Sequence, residues 1–198
     1  ILVGNGSTEL ISLCIQSLSP RKAVVISPAY SEYEHELMIC ESRVTYYQLK
    51  EEDSFQLDLD DFLRALENDI DMCIICNPNN PTGYLYSRKE MNQIRDLVKK
   101  YDLYLFSDEV YREFIYTGSP YISACHLDGI EDNVVLIDSV SKRYSECGIR
   151  IGALVTKNKE VRRAVMKFCQ ARLSPPLLGQ IVAEASIEGT EDYSADVY

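Results

Sequence analysis

Residues 76–83 read CNPNNPTG and directly follow the apolar run MCII (residues 72–75). Proline restricts its own φ angle and disfavours the helical region for the residue before it, so Asn77 and Asn80 are expected to be extended. A single Asn-Pro step is usually no more than a turn between two elements. Two such steps after a buried strand indicate a rigid polar loop whose amide side chains have fixed directions.

Short apolar runs of five or six residues recur along the chain and predict its strands. They are continuously hydrophobic, as parallel strands are when helices cover both faces of their sheet. The runs are AVVIS (residues 23–27), VTYYQL (44–49), MCIIC (72–76), LYLFS (103–107), VVLID (134–138) and IGALVT (151–156).

Segments with helical periodicity separate these runs. The clearest spans residues 88–101, where Ser87 and Glu90 predict a capping box and apolar side chains recur on one face. Strands that alternate with helices predict right-handed βαβ units. The expected fold is therefore α/β, with three layers and a mostly parallel sheet between helices. Further helices are predicted over residues 8–18, 32–40, 59–67, 159–172 and 177–187.

Composition and charge exclude several classes of function. The 198 residues are 46% hydrophobic and carry a formal net charge of −11. Binding to nucleic acid or to an anionic membrane needs a basic face, so neither partner is expected. The sequence contains no apolar run long enough to span a bilayer and no signal peptide. We expect a cytoplasmic protein whose seven cysteines are reduced thiols.

No metal site is predicted from the cysteines and histidines. Cys73 and Cys76 have CxxC spacing, but residues three apart in a strand point to opposite faces of the sheet. The two histidines, His35 and His126, lie in unrelated contexts and complete neither a metal cluster nor a catalytic triad. Zinc binding and Ser-His-Asp catalysis are therefore set aside.

Polar groups are predicted at one edge of the sheet. Ligands of doubly wound sheets bind outside the carboxyl ends of the strands. A glycine-rich segment, GNGST (residues 4–8), leads into the first predicted helix at this edge. The groups that follow strands are Asn80 after MCIIC, Asp108 after LYLFS, and Ser139, Ser141 and Lys142 after VVLID.

These groups indicate a ligand. A glycine-rich helix start offers free N–H groups and the positive end of the helix dipole to a phosphate, although such a cluster is more often only an N-cap. Arg150 would add a guanidinium to the same phosphate. Asp108 at the end of a buried strand is costly without a cationic partner. A phosphate, a cation that needs a carboxylate, and a lysine together describe pyridoxal 5′-phosphate.

Three strings carry a resemblance to a known family. They are NPNNPTG (residues 77–83), SDEVY (107–111) and SVSKRYSECGIRIG (139–152), in this order. They resemble signatures of the fold-type I pyridoxal-phosphate enzymes, specifically the class I and II aminotransferases such as aspartate aminotransferase. The resemblance covers essentially the whole chain. It implies that residues 1–198 form the large cofactor-binding domain, without the N-terminal segment and the small C-terminal domain of complete members.

The resemblance implies a role for each matching residue. Lys142 is similar to the lysine that forms a Schiff base with the cofactor and moves the substrate proton between the α-carbon and C4′. Asp108 resembles the carboxylate that keeps the ring nitrogen protonated. Tyr111 and Asn80 resemble the pair that binds O3′ of the ring, and Tyr30 corresponds to the aromatic side chain that stacks on it. The implied phosphate site comprises Gly6, Ser7, Thr8, Ser139, Ser141 and Arg150, with the choice of serine left open.

The implied activity is transfer of an amino group between an amino acid and a 2-oxo acid by a homodimer. A decarboxylase or lyase on the same scaffold is an alternative, because the cofactor stabilises any α-carbanion. A second alternative is a cofactor-binding fragment without turnover. Residues 4–59 resemble threonine-phosphate decarboxylase or histidinol-phosphate aminotransferase, whereas the chain from residue 77 onward resembles the aspartate aminotransferase branch. Substrate recognition is expected to lie mostly outside residues 1–198.

Overall fold

The structure is a computed structural model that describes residues 1–66 and 69–189. In this part of the chain a single sheet lies between helices, which confirms the predicted α/β fold. The end of the predicted helix at Glu67 lies outside the described residues. The strands are β1 (Leu2–Gly4), β2 (Lys22–Ser27), β3 (Arg43–Gln48), β4 (Met72–Cys76), β5 (Tyr104–Asp108), β6 (Val134–Ser139) and β7 (Gly152–Val155).

The sheet has the strand order β1-β7-β6-β5-β4-β2-β3. The strands from β6 to β3 in this order pair in parallel, as predicted. Strand β7 differs from the prediction, because it pairs antiparallel with both β6 and β1. No long crossover helix joins β6 to β7, so the chain turns back at the edge where β6 ends. This reversal places the start of β7 at the carboxyl edge of the parallel strands.

Most helices match the predicted segments. The helix at residues 88–101 has the predicted bounds, and its Ser87–Glu90 capping box is present. A four-residue helix after β6 was not predicted, because so short a segment shows no periodicity. None of the described helices is long and apolar enough to cross a membrane. The helices are α1 (Gly6–Leu18), α2 (Ser31–Ile39), α3 (Leu59–Ala65), α4 (Arg88–Tyr101), α5 (Val140–Arg143), α6 (Lys159–Arg172) and α7 (Leu177–Glu188).

The sheet separates two large apolar cores, one on each face, because alternate side chains of a strand point to opposite faces. In β4, Ile75 packs in the same core as Phe62 of α3 and Met91 of α4. The neighbouring Ile74 packs on the other face, in the core that contains Leu10 of α1 and Val161 of α6. Both faces of the central strands are therefore buried. The polar groups that line a cavity lie at the carboxyl edge of the sheet.

The loop after β4 is anchored by asparagine side chains. Asn77 is fully buried, its Nδ2 donates to the carbonyl of Ile122 (3.1 Å), and its Oδ1 accepts from the N–H of Tyr86 (3.3 Å). Asn79 donates from Nδ2 to the carbonyl of Pro28 (3.0 Å). The peptide bonds from Asn77 to Pro78 and from Asn80 to Pro81 are cis. The first two asparagines hold the loop, and Asn80 is left facing the cavity at the sheet edge.

Candidate active site

A cavity of about 270 Å³ lies at the carboxyl edge of the sheet, between the ends of the strands and the start of α1. The structure brings most of the predicted site residues together around it. Four residues that were not predicted also line it, namely Tyr33, Cys76, Val110 and Cys147. The predicted residues in the lining are Ser7, Thr8, Tyr30, Asn80, Asp108, Tyr111, Ser141, Lys142 and Arg150.

Asp108 is the last residue of β5, and its side chain is nearly fully buried at the base of the cavity. Tyr33 Oη donates to Oδ2 (2.6 Å) and the N–H of Val110 donates to Oδ1 (3.2 Å). Burial raises the pKa of Asp108 from 3.8 to about 6, although these two hydrogen bonds lower it. Within residues 1–66 and 69–189 no cation forms an ion pair with Asp108. A cationic ring nitrogen fits this site, because it would supply the missing charge.

Lys142 reaches the cavity from α5, which begins directly after β6. The helix starts here because the Ser139 hydroxyl accepts from the N–H of Ser141 (3.1 Å), as an N-cap does. Lys142 Nζ lies 5.5 Å from the centroid of the Tyr111 ring. In the described part of the chain Lys142 has no ion-pair partner, whereas its neighbour Arg143 is paired with Glu113. The Lys142 amine is thus available to a ligand in the cavity.

The start of α1 and Arg150 form a positively charged corner of the cavity. Arg150 Nη1 donates to the carbonyl of Cys147 (3.0 Å), and Nη2 lies 3.4 Å from the carbonyl of Asn5. Gly6 has a φ of +84°, and a Cβ on it would lie 2.2 Å from Arg150 Nη2. The positive φ favours glycine at this position, and the missing side chain leaves room for the guanidinium beside the helix start. A guanidinium beside the N-terminus of a helix suits a phosphate group.

Gly6 and Ser139 are the predicted residues that do not line the cavity. Gly6 instead makes room for Arg150. Ser139 is buried, and its hydroxyl lies 2.8 Å from Ser141 Oγ and 3.0 Å from the carbonyl of Ile151. It therefore lies behind Ser141, which does face the cavity, and its role toward a phosphate stays a prediction.

Tyr33 was missed because its position depends on how α2 packs against β5. Tyr30 and Tyr33 are three residues apart, a spacing that places both on one face of a helix and that was visible in the sequence. Their rings meet edge to face with centroids 5.7 Å apart. Cys76 and Cys147 are free thiols, and the described residues contain no His, Cys, Asp and Glu group that could hold a metal ion.

Comparison with known proteins relates the chain to a family. The family described as "Aminotransferase class I and II" matches residues 1–197. Threonine-phosphate decarboxylase of Salmonella typhimurium is 33% identical over 95% of the chain and 50% of its own length. L-serine phosphate decarboxylase of Campylobacter jejuni is 30% identical over 82% of the chain and 42% of its own length.

A solved structure is similar in fold as well as in sequence. Alanine aminotransferase from Pyrococcus furiosus superimposes with a TM-score of 0.89 at 29% identity, covering 98% of this chain and 51% of that one. The chain spans about half the length of the curated relatives it matches. The similarity therefore relates the whole described fold to one half of these longer proteins.

Proposed function

Because the chain belongs to the class I and II aminotransferase family, we propose that it forms the cofactor-binding large domain of an aminotransferase. Members of this family depend on pyridoxal 5′-phosphate, the cofactor predicted from the sequence. The proposed reaction transfers an amino group between an amino acid and a 2-oxo acid. The observation that carries the proposal is the buried Asp108 carboxylate, which has no ion-pair partner among the described residues and shares one cavity with Lys142 and Arg150.

When bound, pyridoxal phosphate supplies a conjugated ring that withdraws electrons from the α-carbon of an amino acid. In our proposal Lys142 Nζ would hold the aldehyde group of the cofactor and would move the proton at the substrate α-carbon. Asp108 holds a proton at the ring nitrogen by its negative charge. Tyr111 and Asn80 would hold O3′ of the ring, and Tyr30 would stack on it. The phosphate would be held by Ser7 and Thr8 at the start of α1 together with Ser141 and Arg150.

We propose further that the protein acts in the cytoplasm as a homodimer. The support is an apolar surface on α7, where Leu177, Leu178 and Ile181 are 70%, 78% and 52% exposed. Exposed apolar patches of this kind mark surfaces that other protein segments cover.

A decarboxylase is the second candidate function. Two relatives that are at least 30% identical, threonine-phosphate decarboxylase and L-serine phosphate decarboxylase, are by name decarboxylases of phosphorylated amino acids. The cavity residues serve either reaction, because the cofactor stabilises the α-carbanion whichever bond to the α-carbon breaks. Groups that orient the substrate choose between loss of a proton and loss of carbon dioxide.

The experiment that tests the proposal labels the lysine. The protein is incubated with pyridoxal phosphate, reduced with borohydride and mapped by peptide mass spectrometry. We expect the pyridoxyl adduct on Lys142 and none in a Lys142→Arg variant, because a guanidinium stays protonated and is no nucleophile. An adduct on another residue, or no adduct in folded protein, contradicts the proposal.

The same preparation separates the two candidate reactions. Amino acids, including phosphoserine and phosphothreonine, are supplied with 2-oxoglutarate, and both glutamate and released carbon dioxide are measured. Glutamate formation without release of carbon dioxide supports the aminotransferase. Release of carbon dioxide without glutamate contradicts it and favours the decarboxylase.

A further inference from the structure

Tyr33 lies where it can control the charge of Asp108. Its hydroxyl donates a 2.6 Å hydrogen bond to Asp108 Oδ2, and the two side chains are only 1% and 3% exposed. We propose that Tyr33 is a positioning residue, which keeps Asp108 anionic and directed into the cavity so that the cavity accepts a cationic ring nitrogen at neutral pH. This proposal rests on the proposed function, since it concerns the same cofactor site.

Packing fixes the direction of the Tyr33 hydroxyl. The Tyr33 ring meets Tyr30 edge to face on one side, and it meets Phe106 of β5 with centroids 6.2 Å apart on another. A buried ring held by two aromatic neighbours has little freedom to move its hydroxyl. The N–H of Val110 holds the other oxygen of Asp108. The carboxylate is therefore oriented by one donor on each oxygen.

Opposing effects set the pKa of Asp108. Burial favours the neutral acid and raises the pKa of Asp108 to about 6, while the Tyr33 hydrogen bond opposes it by favouring the anion. Asp138 and Glu109 are nearby carboxyls that also favour the neutral form. Asp138 is itself paired with Arg112 (2.7 Å). The other titratable or charged side chains that line the cavity with Asp108 are Tyr30, Cys76, Tyr111, Lys142, Cys147 and Arg150.

Loss of the Tyr33 hydrogen bond should therefore raise the pKa of Asp108 into the neutral pH range. A hydrogen bond to a charged group stabilises the charge enough to change an acid equilibrium constant by about 10-fold or more. A Tyr33→Phe variant keeps the ring and its packing but removes the donor. In that variant Asp108 would be mostly neutral near pH 6.5 and anionic again near pH 8.5.

The chain offers a matched control on the opposite side of β5. Tyr121 also donates from its hydroxyl to a buried carboxylate, Glu109, but Tyr121 does not line the cavity. Tyr121→Phe removes the same atom from the same kind of pair. It should lower the unfolding temperature without changing the pH dependence of cofactor binding.

The test is a titration of pyridoxal phosphate into wild type, Tyr33→Phe and Tyr121→Phe, followed by absorbance between pH 6.5 and pH 8.5. We expect Tyr33→Phe to bind about 3-fold more weakly than wild type at pH 6.5, because a rise of about one pH unit in the pKa of Asp108 lowers its anionic fraction about 3-fold there, and less than about 2-fold more weakly at pH 8.5. Tyr121→Phe should stay within about 2-fold at every pH. An equal loss at all pH values, or no loss, overturns the proposal, because a purely structural role does not depend on this protonation.

A second measurement needs no cofactor. The carboxyl band of Asp108, identified by its absence in Asp108→Asn, is followed by infrared titration of the unliganded protein. Tyr33→Phe should raise the pKa of Asp108 by about one pH unit or more. An unchanged titration overturns the role of Tyr33 even if the cofactor binds. Failure of wild type to bind pyridoxal phosphate would instead contradict the proposed function and leave this titration to decide on Tyr33.

Discussion

Two adjacent carboxylates at the end of β5 have opposite environments. Asp108 faces the cavity side, and Glu109 faces the loop side, which we define as the residues around Ser107, Tyr121 and Ala124. Both carboxylates are almost fully buried. Glu109 accepts from Ser107 Oγ (2.9 Å), from the N–H of Ala124 (2.8 Å) and from the Tyr121 hydroxyl. Asp108 accepts two hydrogen bonds and lines a cavity.

The difference shows that burial alone does not identify a functional carboxylate. Three donors from the chain itself satisfy Glu109, and they tie the loop before Ala124 to β5, so its role is structural. Asp108 has fewer donors and no cation in the described residues, although a buried charge needs one. The Asp108 carboxylate can therefore accept a further hydrogen bond from a cationic ligand in the cavity.

The largest effect that separates the two sides concerns stability. Glu109→Ala should lower the free energy of unfolding by about 3 kcal/mol, because it leaves three donors without an acceptor and creates a void. Asp108→Ala should change it by less than about 1 kcal/mol, because its two donors can meet water in the cavity and a costly charge is removed. Urea denaturation at pH 7 measures both, and equal losses would contradict the comparison.

The next effect concerns turnover. Asp108→Asn should reduce it about 100-fold, the scale of a lost acid–base contribution, because a neutral amide cannot hold a proton on the ring nitrogen. Glu109→Gln is the same acid-to-amide change on the loop side and should reduce turnover by less than about 10-fold. Both are measured with saturating cofactor and amino acid. Near-wild-type turnover in Asp108→Asn would refute the role of this carboxylate.

The smallest effect is a dependence of stability on pH. The pKa of Asp108 is raised by burial from 3.8 to about 6, so between these values the folded state binds more protons than the unfolded state. Stability from this group therefore falls as pH rises. Burial also raises the pKa of Glu109, which acts in the same direction.

Relative to Asp108→Asn, wild type should lose about 1 kcal/mol of stability between pH 5 and pH 7.5. Thermal unfolding of the two proteins at several pH values measures this difference. If their curves stay parallel, Asp108 does not titrate abnormally in the folded protein.

Much of the fold was predictable because its signals are local. Continuous apolar runs mark strands that are buried on both faces, and the Ser87–Glu90 capping box marks the start of α4. The order of strands and helices then requires a layered α/β fold. Strand β1 was missed because three residues carry no pattern, and β7 was assigned among parallel strands because hydrophobicity does not report strand direction.

For the site, the sequence by itself determined which chemical groups stand at the strand ends: Asn80, Asp108 and Lys142 follow apolar runs that could be recognised without a structure. Only the tertiary structure decided which groups meet. The Tyr33 hydroxyl reaches Asp108 from 75 positions away along the chain, and Arg150 meets Gly6 because β7 begins beside the end of β1, where α1 starts. Such contacts depend on how helices pack on the sheet, and side-chain patterns within one segment do not encode that packing.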